Sequence, residues 1–260
     1  MAAMFRPGER RLRLSLPRRW IGDICHFGKR IPVVAGERTI RVRAVAEARL
    51  ASRQSPSWLA LLIRAYGLAS QRMPEIRRSF MSYPWPHLYQ SPHSYASVVV
   101  DRTWQGEHAV FYVTMSRPET QTLSDIQRRL HDYQKKPIEE IKAFRRMIRF
   151  TRYPTPLRRL LLGAAIGFLG RQRAQYFGTF MINSVAAMRA RMLQFITPLT
   201  TSLYYDRVTS NGEMTLQLAI DHRVLDGYTA ARVVGEVESI LNNEILQELR
   251  GDIALMRNAA

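Results

Sequence analysis

The spacing of apolar positions changes several times along the chain, and each change marks an element. Over Thr39 to Ala46, Ile40, Val42, Ala44 and Ala46 alternate with polar neighbours and predict a first strand. From Trp58 the period lengthens. Leu61, Leu62, Ala65, Leu68 and Ala69 recur at helical spacing behind Ser57, a good N-cap, and Met73-Pro74 ends the run because a residue before proline leaves the helical region. This helix is apolar nearly all round, so burial is expected. Tyr95 to Val100 and His108 to Thr114 are rich in β-branched and aromatic residues and read as strands joined through Gly106. A second helix carries Leu123, Ile126, Leu130 and Tyr133 on one face, starts at Thr122 or Ser124 and stops at Pro137. Phe177 to Ile182 reads as a strand. Thr201 to Val208 and Met214 to Ile220 read as a hairpin around Asn211-Gly212, and a last amphipathic helix carries Ala230, Val233, Val234, Val237, Ile240 and Leu241.

Helices and hairpin-forming strands in this order predict a mixed α/β (α+β) fold of layered sheet and helices, and argue against a TIM barrel or a doubly wound sheet. The 260 residues, 46% apolar, can bury one substantial core. The organisation expected is a basic arm at 1–19, partly extended, one domain at 20–250 with a basic apolar helical insert at 141–175, and a tail at 251–260.

Charge narrows the partners. Lys and Arg number 39 against 21 acids, a net charge of +18, which points to an acidic partner or to arginine used as a general surface residue. Nucleic acid is disfavoured, since no zinc spacing, RNA-recognition signature or helix-turn-helix accompanies the charge. Cys25 is the only cysteine, so no internal disulfide forms and a reducing, cytoplasmic compartment fits. The histidines show no metal-ligand spacing, and no metal is expected. The longest strongly apolar run, Leu160 to Leu169, falls well short of the roughly 20 residues needed to span a bilayer. No apolar stretch follows the basic N-terminus, so a secretory signal is not expected either.

The most informative stretch is Leu216 to Gly227, in which an alternating apolar run delivers His222 to a turn, with Asp226 four residues on and Gly227 next. This His-x-x-x-Asp-Gly motif (HxxxDG) resembles the active-site signature of the dihydrolipoyl acyltransferase component of 2-oxoacid dehydrogenase complexes, in the chloramphenicol acetyltransferase-like superfamily. Other stretches resemble that catalytic domain in the same order. They are Trp58 to Phe80 with Ala65, Ala69 and Met73-Pro74-Glu75, the strands in Tyr95 to Thr114, the helix at Leu123 to Leu130 with Ser124 and Ile126, and Gly178-Thr179-Phe180-Met181-Ile182-Asn183-Ser184. The resemblance implies a chloramphenicol acetyltransferase-like two-layer fold and a homotrimer, with the histidine of one subunit facing the strand of its neighbour.

Acyl transfer from a thioester needs a base for the acceptor and donors for the oxyanion. Imidazole, with an ordinary pKa of about 6.5, suits the first task, so His222 is the candidate base for direct transfer from a coenzyme A or acyl-carrier thioester to a thiol, hydroxyl or amine. Asp226 reads either as an orienting carboxylate or, as the resemblance implies, as a loop-holding ion pair with Arg18, Arg19 or Arg223. Asp221 and Arg223 complete the motif, and Gly227 is expected to permit the tight turn into the last helix. The family places a hydroxyl residue before an asparagine on the Gly-Thr-Phe strand. Here the order is reversed, and Asn183 is the expected oxyanion donor with Ser184 in reserve.

Ile141 to Gln175 carries nine Lys or Arg residues and no acid, where the resembled family has a much shorter connection. Lys142, Arg145, Arg146, Arg149 and Arg152 beside Phe144, Met147, Ile148 and Phe150 suit an interfacial helix on an anionic bilayer, peripheral to the inner face of the membrane. Packing against the domain with solvated arginines, or docking of an acidic carrier protein, are the alternatives. No lipoyl or subunit-binding domain precedes the catalytic part, so a stand-alone or accessory transferase is expected. The competing function is a non-catalytic acyltransferase-like scaffold or assembly protein, which the Asn183-Ser184 reversal favours.

Overall fold

The computed structural model describes residues 12–184, 190 and 196–258. The N-terminal half contains α1 (Leu16–Gly28), β1 (Val33–Arg41), α2 (Arg43–Ala51), α3 (Trp58–Arg72), β2 (Arg78–Met81), β3 (His87–Gln90), β4 (Tyr95–Trp104) and β5 (Glu107–Ser116). Four helices follow: α4 (Leu123–Lys135), α5 (Lys142–Thr151), α6 (Thr155–Gly167) and α7 (Gly170–Phe177). The chain then runs through β6 (Phe180–Asn183), β7 (Thr201–Tyr205), β8 (Glu213–Asp221), α8 (Gly227–Ile240) and α9 (Leu246–Asn258), the last two joined by a π turn at Leu241–Ile245.

Six strands form one mixed sheet in the order β1-β8-β7-β6-β4-β5, in which β6 runs parallel to both β4 and β7 and the other pairings are antiparallel. Alternation along the strands divides the side chains between two faces. On the first face, Phe180 lies beside Ala96, which opposes Met115, and the Phe180 ring packs on Tyr66 of α3 at 4.4 Å. Helices α3 and α8 cover this face with the apolar residues read from the sequence, and Leu61, Leu62, Ala65 and Ala69 are all fully buried. On the second face, Tyr112 and Thr114 of β5 meet the insert. Trp20 of α1 packs on Tyr112, and the Thr114 hydroxyl donates to the Gln175 carbonyl of α7. Helix α5 wraps the free edge of β5, since its Phe144 touches Phe111 on the first face and its Phe150 touches Trp20 on the second.

Three expected elements differ. The first strand lies earlier, at Val33–Arg41, and the chain turns helical from Arg43. Ile40 and Val42 are buried as the alternation required, but Ala44 is exposed while Val45 and Ala48 are buried. Positions 42, 45 and 48 recur every three residues among good helix formers, so the helical period wins over a short alternating run. Phe177 ends α7 and the strand begins at Phe180, with Gly178 at φ +100° between them. The arm becomes helical at Leu16, where the Ser15 hydroxyl caps the Arg18 N–H. Residues 1–11 of the arm lie outside the described residues. The tail is helical through Asn258.

Candidate active site

Strand β8 ends with Asp221, fully buried, whose N–H donates to the Thr200 carbonyl. Arg223 folds back on it. Its Nε and one terminal nitrogen reach the two Asp221 oxygens at 2.9 and 2.7 Å, and its backbone N–H donates to the same carboxylate at 3.1 Å. The guanidinium also stacks over Phe80 at 4.3 Å. A buried carboxylate held by a bidentate fork fixes the turn that follows.

His222 sits on that turn, exposed, between two anchored neighbours. Its backbone N–H donates to the Pro32 carbonyl, and its Nδ1 lies 2.9 Å from the Leu225 carbonyl. A carbonyl only accepts, so this bond requires the proton on Nδ1 and, in the neutral ring, puts the lone pair on Nε2. The histidine is thereby oriented by a main-chain oxygen.

Asp226 does something other than either expectation. Its carboxylate caps α8 by accepting the Thr229 N–H at 2.7 Å, and among the described residues no arginine pairs with it. Arg223 is committed to Asp221, and the Arg19 side chain donates to the Leu14 carbonyl. The Thr229 N–H, assisted by nearby His222, holds the Asp226 carboxyl below the ordinary carboxylate range. Gly227 is the first residue of α8 without a positive φ, and a Cβ there meets nothing within 4 Å. The turn therefore does not require a glycine at this position.

Asn183 and Ser184 end β6. The Ser184 N–H donates to the Asn183 Oδ1 at 3.1 Å, and the Ser184 hydroxyl donates to the Tyr205 carbonyl at 2.8 Å. Tyr204, its hydroxyl pushed up by burial, shares a side-chain hydrogen bond with Asn183. With Oδ1 fixed by Ser184, the orientation of the Asn183 amide and its N–H donors is set. Register separates this pair from His222. Asn183 opposes Tyr204 and Tyr204 opposes Gln217, so His222 lies five residues farther along β8. At about 3.4 Å per residue and 4.8 Å per strand step, their Cα atoms are about 20 Å apart. One subunit does not bring the candidate base and the expected oxyanion donor together.

The residue-type reading missed what the insert contributes here. Arg173 of α7 is 1% exposed; it donates to the carbonyls of Phe80 and Pro198 at 2.5 and 2.7 Å, while burial pushes its pKa down to about 10 against the pull of Asp221. Arg158 of α6 is also buried, its Nε 2.7 Å from the buried Asp23 of α1. These arginines are structural pins, and only their depth distinguishes them from solvated neighbours. A cleft of about 480 Å³ between α1, β2 and α6 opens beside the motif, and Arg30, Arg159, Arg173 and Arg223 line it. Among the described residues no cluster of His, Cys, Asp or Glu can hold a metal.

The fold is that of 2-oxoacid dehydrogenase acyltransferase cores. A probable dihydrolipoamide acetyltransferase from Listeria monocytogenes 4b F2365 superposes with a TM-score of 0.65 at 15% identity, over 91% of this chain and 96% of that one. A truncated catalytic core of the 2-oxoacid dehydrogenase multienzyme complex from Thermoplasma acidophilum gives 0.66 at 16%, over 90% and 99%. The dihydrolipoamide acetyltransferase of Azotobacter vinelandii gives 0.67 at 14%, over 93% and 94%. In that enzyme a serine, a histidine and an asparagine four residues after the histidine have been investigated for their roles in catalysis. No family model and no curated protein sequence matches the chain.

Proposed function

We propose that this chain is an acyltransferase that moves an acyl group directly from a coenzyme A or carrier-bound thioester to a thiol, hydroxyl or amine, with His222 as general base. The observation that carries the reading is the Nδ1 contact with the Leu225 carbonyl, which in the neutral ring places the free lone pair on Nε2, on an accessible turn. In this reading the acceptor gives its proton to Nε2 and attacks the thioester carbonyl. The Asn183 amide donates to the oxyanion, and collapse expels a thiolate that recovers the proton from the imidazolium. Ser184 supports Asn183 through its N–H, and its own hydroxyl is already engaged. Asp226 holds the first turn of α8, and the Asp221–Arg223 pair holds the loop. The four-residue spacing of His222 and Asp226 equals that of the investigated histidine and asparagine in the Azotobacter enzyme, which supports the assignment.

The separation of His222 from Asn183 within one chain supports a site completed by a second copy, in the homotrimer that the resemblance implies. Arg30 and Arg159, the exposed arginines of the cleft beside the motif that are not structural pins, suit the phosphates of coenzyme A. The insert supports a site at the face of an anionic bilayer, on the cytoplasmic side. Leu157, Leu160 and Phe168 are exposed, with Arg152, Arg159 and Arg171 exposed around them. No helix among the described residues is long and apolar enough to cross a membrane. Comparing wild type with His222→Ala for thiol release from a series of acyl thioesters tests the function, and equal rates would remove it. Flotation with anionic vesicles tests the surface, and failure to float at low salt would remove that part.

A further inference from the structure

We propose that a second cleft, about 340 Å³ in volume and formed between α1, β5, α5, α6 and α7, binds the alkyl chain of a fatty acyl group. Its volume falls within the range of small-molecule sites, about 300–1,000 Å³. Its walls are almost wholly apolar. Trp20 makes ring contacts with Tyr112, Phe150 and Phe177 at 6.0–6.3 Å, and Met147, Leu162 and Ala165 add aliphatic surface. Arg146, stacked on Tyr176 at 4.6 Å, and Gln172 are the lining residues with a charged or amide head. Trp20 is 9% exposed and supplies a largely buried aromatic wall.

The cavity's place on the sheet connects it with the candidate site. Tyr112 opposes Val99, Val98 lies beside Ile182, and Asn183 opposes Tyr204, so Tyr112, Val99, Asn183 and Tyr204 form one row on the second face. Tyr112 is therefore two strand steps, about 10 Å, from the proposed oxyanion donor. The insert thus makes room for an acyl tail on the Asn183 side. This assignment of the chain as substrate rests on the acyl-transfer reading, but the binding itself does not.

The test uses octanoate, dodecanoate and hexadecanoate as probes by calorimetry on the full chain, with bromododecanoate as a quencher of tryptophan fluorescence. Expected are saturable binding, tightening about tenfold per two added carbons until the cavity is full, and quenching that is lost in Trp20→Phe. Ala165→Trp fills the cavity from α6 and should weaken dodecanoate binding at least tenfold with the melting temperature retained. Ala143→Phe, from α5, serves if that variant does not fold. No binding by wild type, or an affinity indifferent to the filling variants, would overturn the proposal. Dodecanoate binding equal in wild type and His222→Ala, with no turnover of any thioester, would sink the transferase reading and uphold the cavity as a chain-binding site.

Discussion

The separation of His222 from Asn183 yields a test that needs no knowledge of the substrate's acceptor. His222→Ala removes the base and should lower kcat by about 10²–10⁴; Asn183→Ala removes the oxyanion donor and should cost about 10²–10³. Each variant alone therefore stays near or below a hundredth of wild type. Within one chain the two residues lie about 20 Å apart by register, so a site that uses both, as proposed, takes its histidine from one copy and its asparagine from another. In randomly mixed oligomers, half the copies carry an intact histidine and half an intact asparagine. About one interface in four then pairs both. Co-expressing the two variants, or refolding them together at equal amounts, should return about a quarter of wild-type thiol release from the acyl thioester. Mixtures that stay at the level of the separate variants, while sedimentation shows mixed oligomers, would refute a shared site.

Asp226→Asn should keep most activity and Asp226→Ala should lose more, because asparagine caps a helix as well as aspartate does and alanine does not; a triad role would cripple both. The Asp226 carboxyl has a depressed pKa in the folded state, so its stabilising effect is complete above the ordinary carboxylate pKa and is lost as pH falls through the lower folded value. Acid unfolding of Asp226→Asn should therefore show a smaller pH dependence in that window. Asp23→Ala strands the buried Arg158 guanidinium and should cost about 3–5 kcal/mol, seen as a melting temperature lower by roughly 10 °C; an unchanged transition would contradict the pin. Gly178→Ala should destabilise by about 2 kcal/mol or more, since a Cβ there would lie 2.9 Å from that of Ser97 at φ +100°; denaturant titration checks it.

Residues 57–73 and 201–221 were legible because several local signals agree: a serine cap, a proline stop, helical spacing, and an Asn-Gly turn with Gly212 at φ +73°. His222 was legible from its motif. Its orientation was not, since the Leu225 carbonyl that holds Nδ1 is a main-chain atom with no side-chain signature. Asp226 misled for a related reason, because a carboxylate that caps a helix and one that pairs with arginine look alike in sequence. The insert was read as surface from its nine cations. Arg158 and Arg173 are pinned inside by Asp23 and by main-chain carbonyls that come from distant segments. The first strand failed where alternation was too short to outweigh helix formers.

The wrapping of α5 over β5 makes the six-stranded sheet asymmetric. One margin is sealed by Phe144 and Phe150, while β1 at the other is exposed along most of its length, and no described strand pairs with its outer side. Among the described strands of this sheet, β1 is therefore the margin open to strand addition. Two chains that meet there margin to margin use up both open sides, so backbone pairing through this sheet gives a closed pair and does not propagate into a fibre.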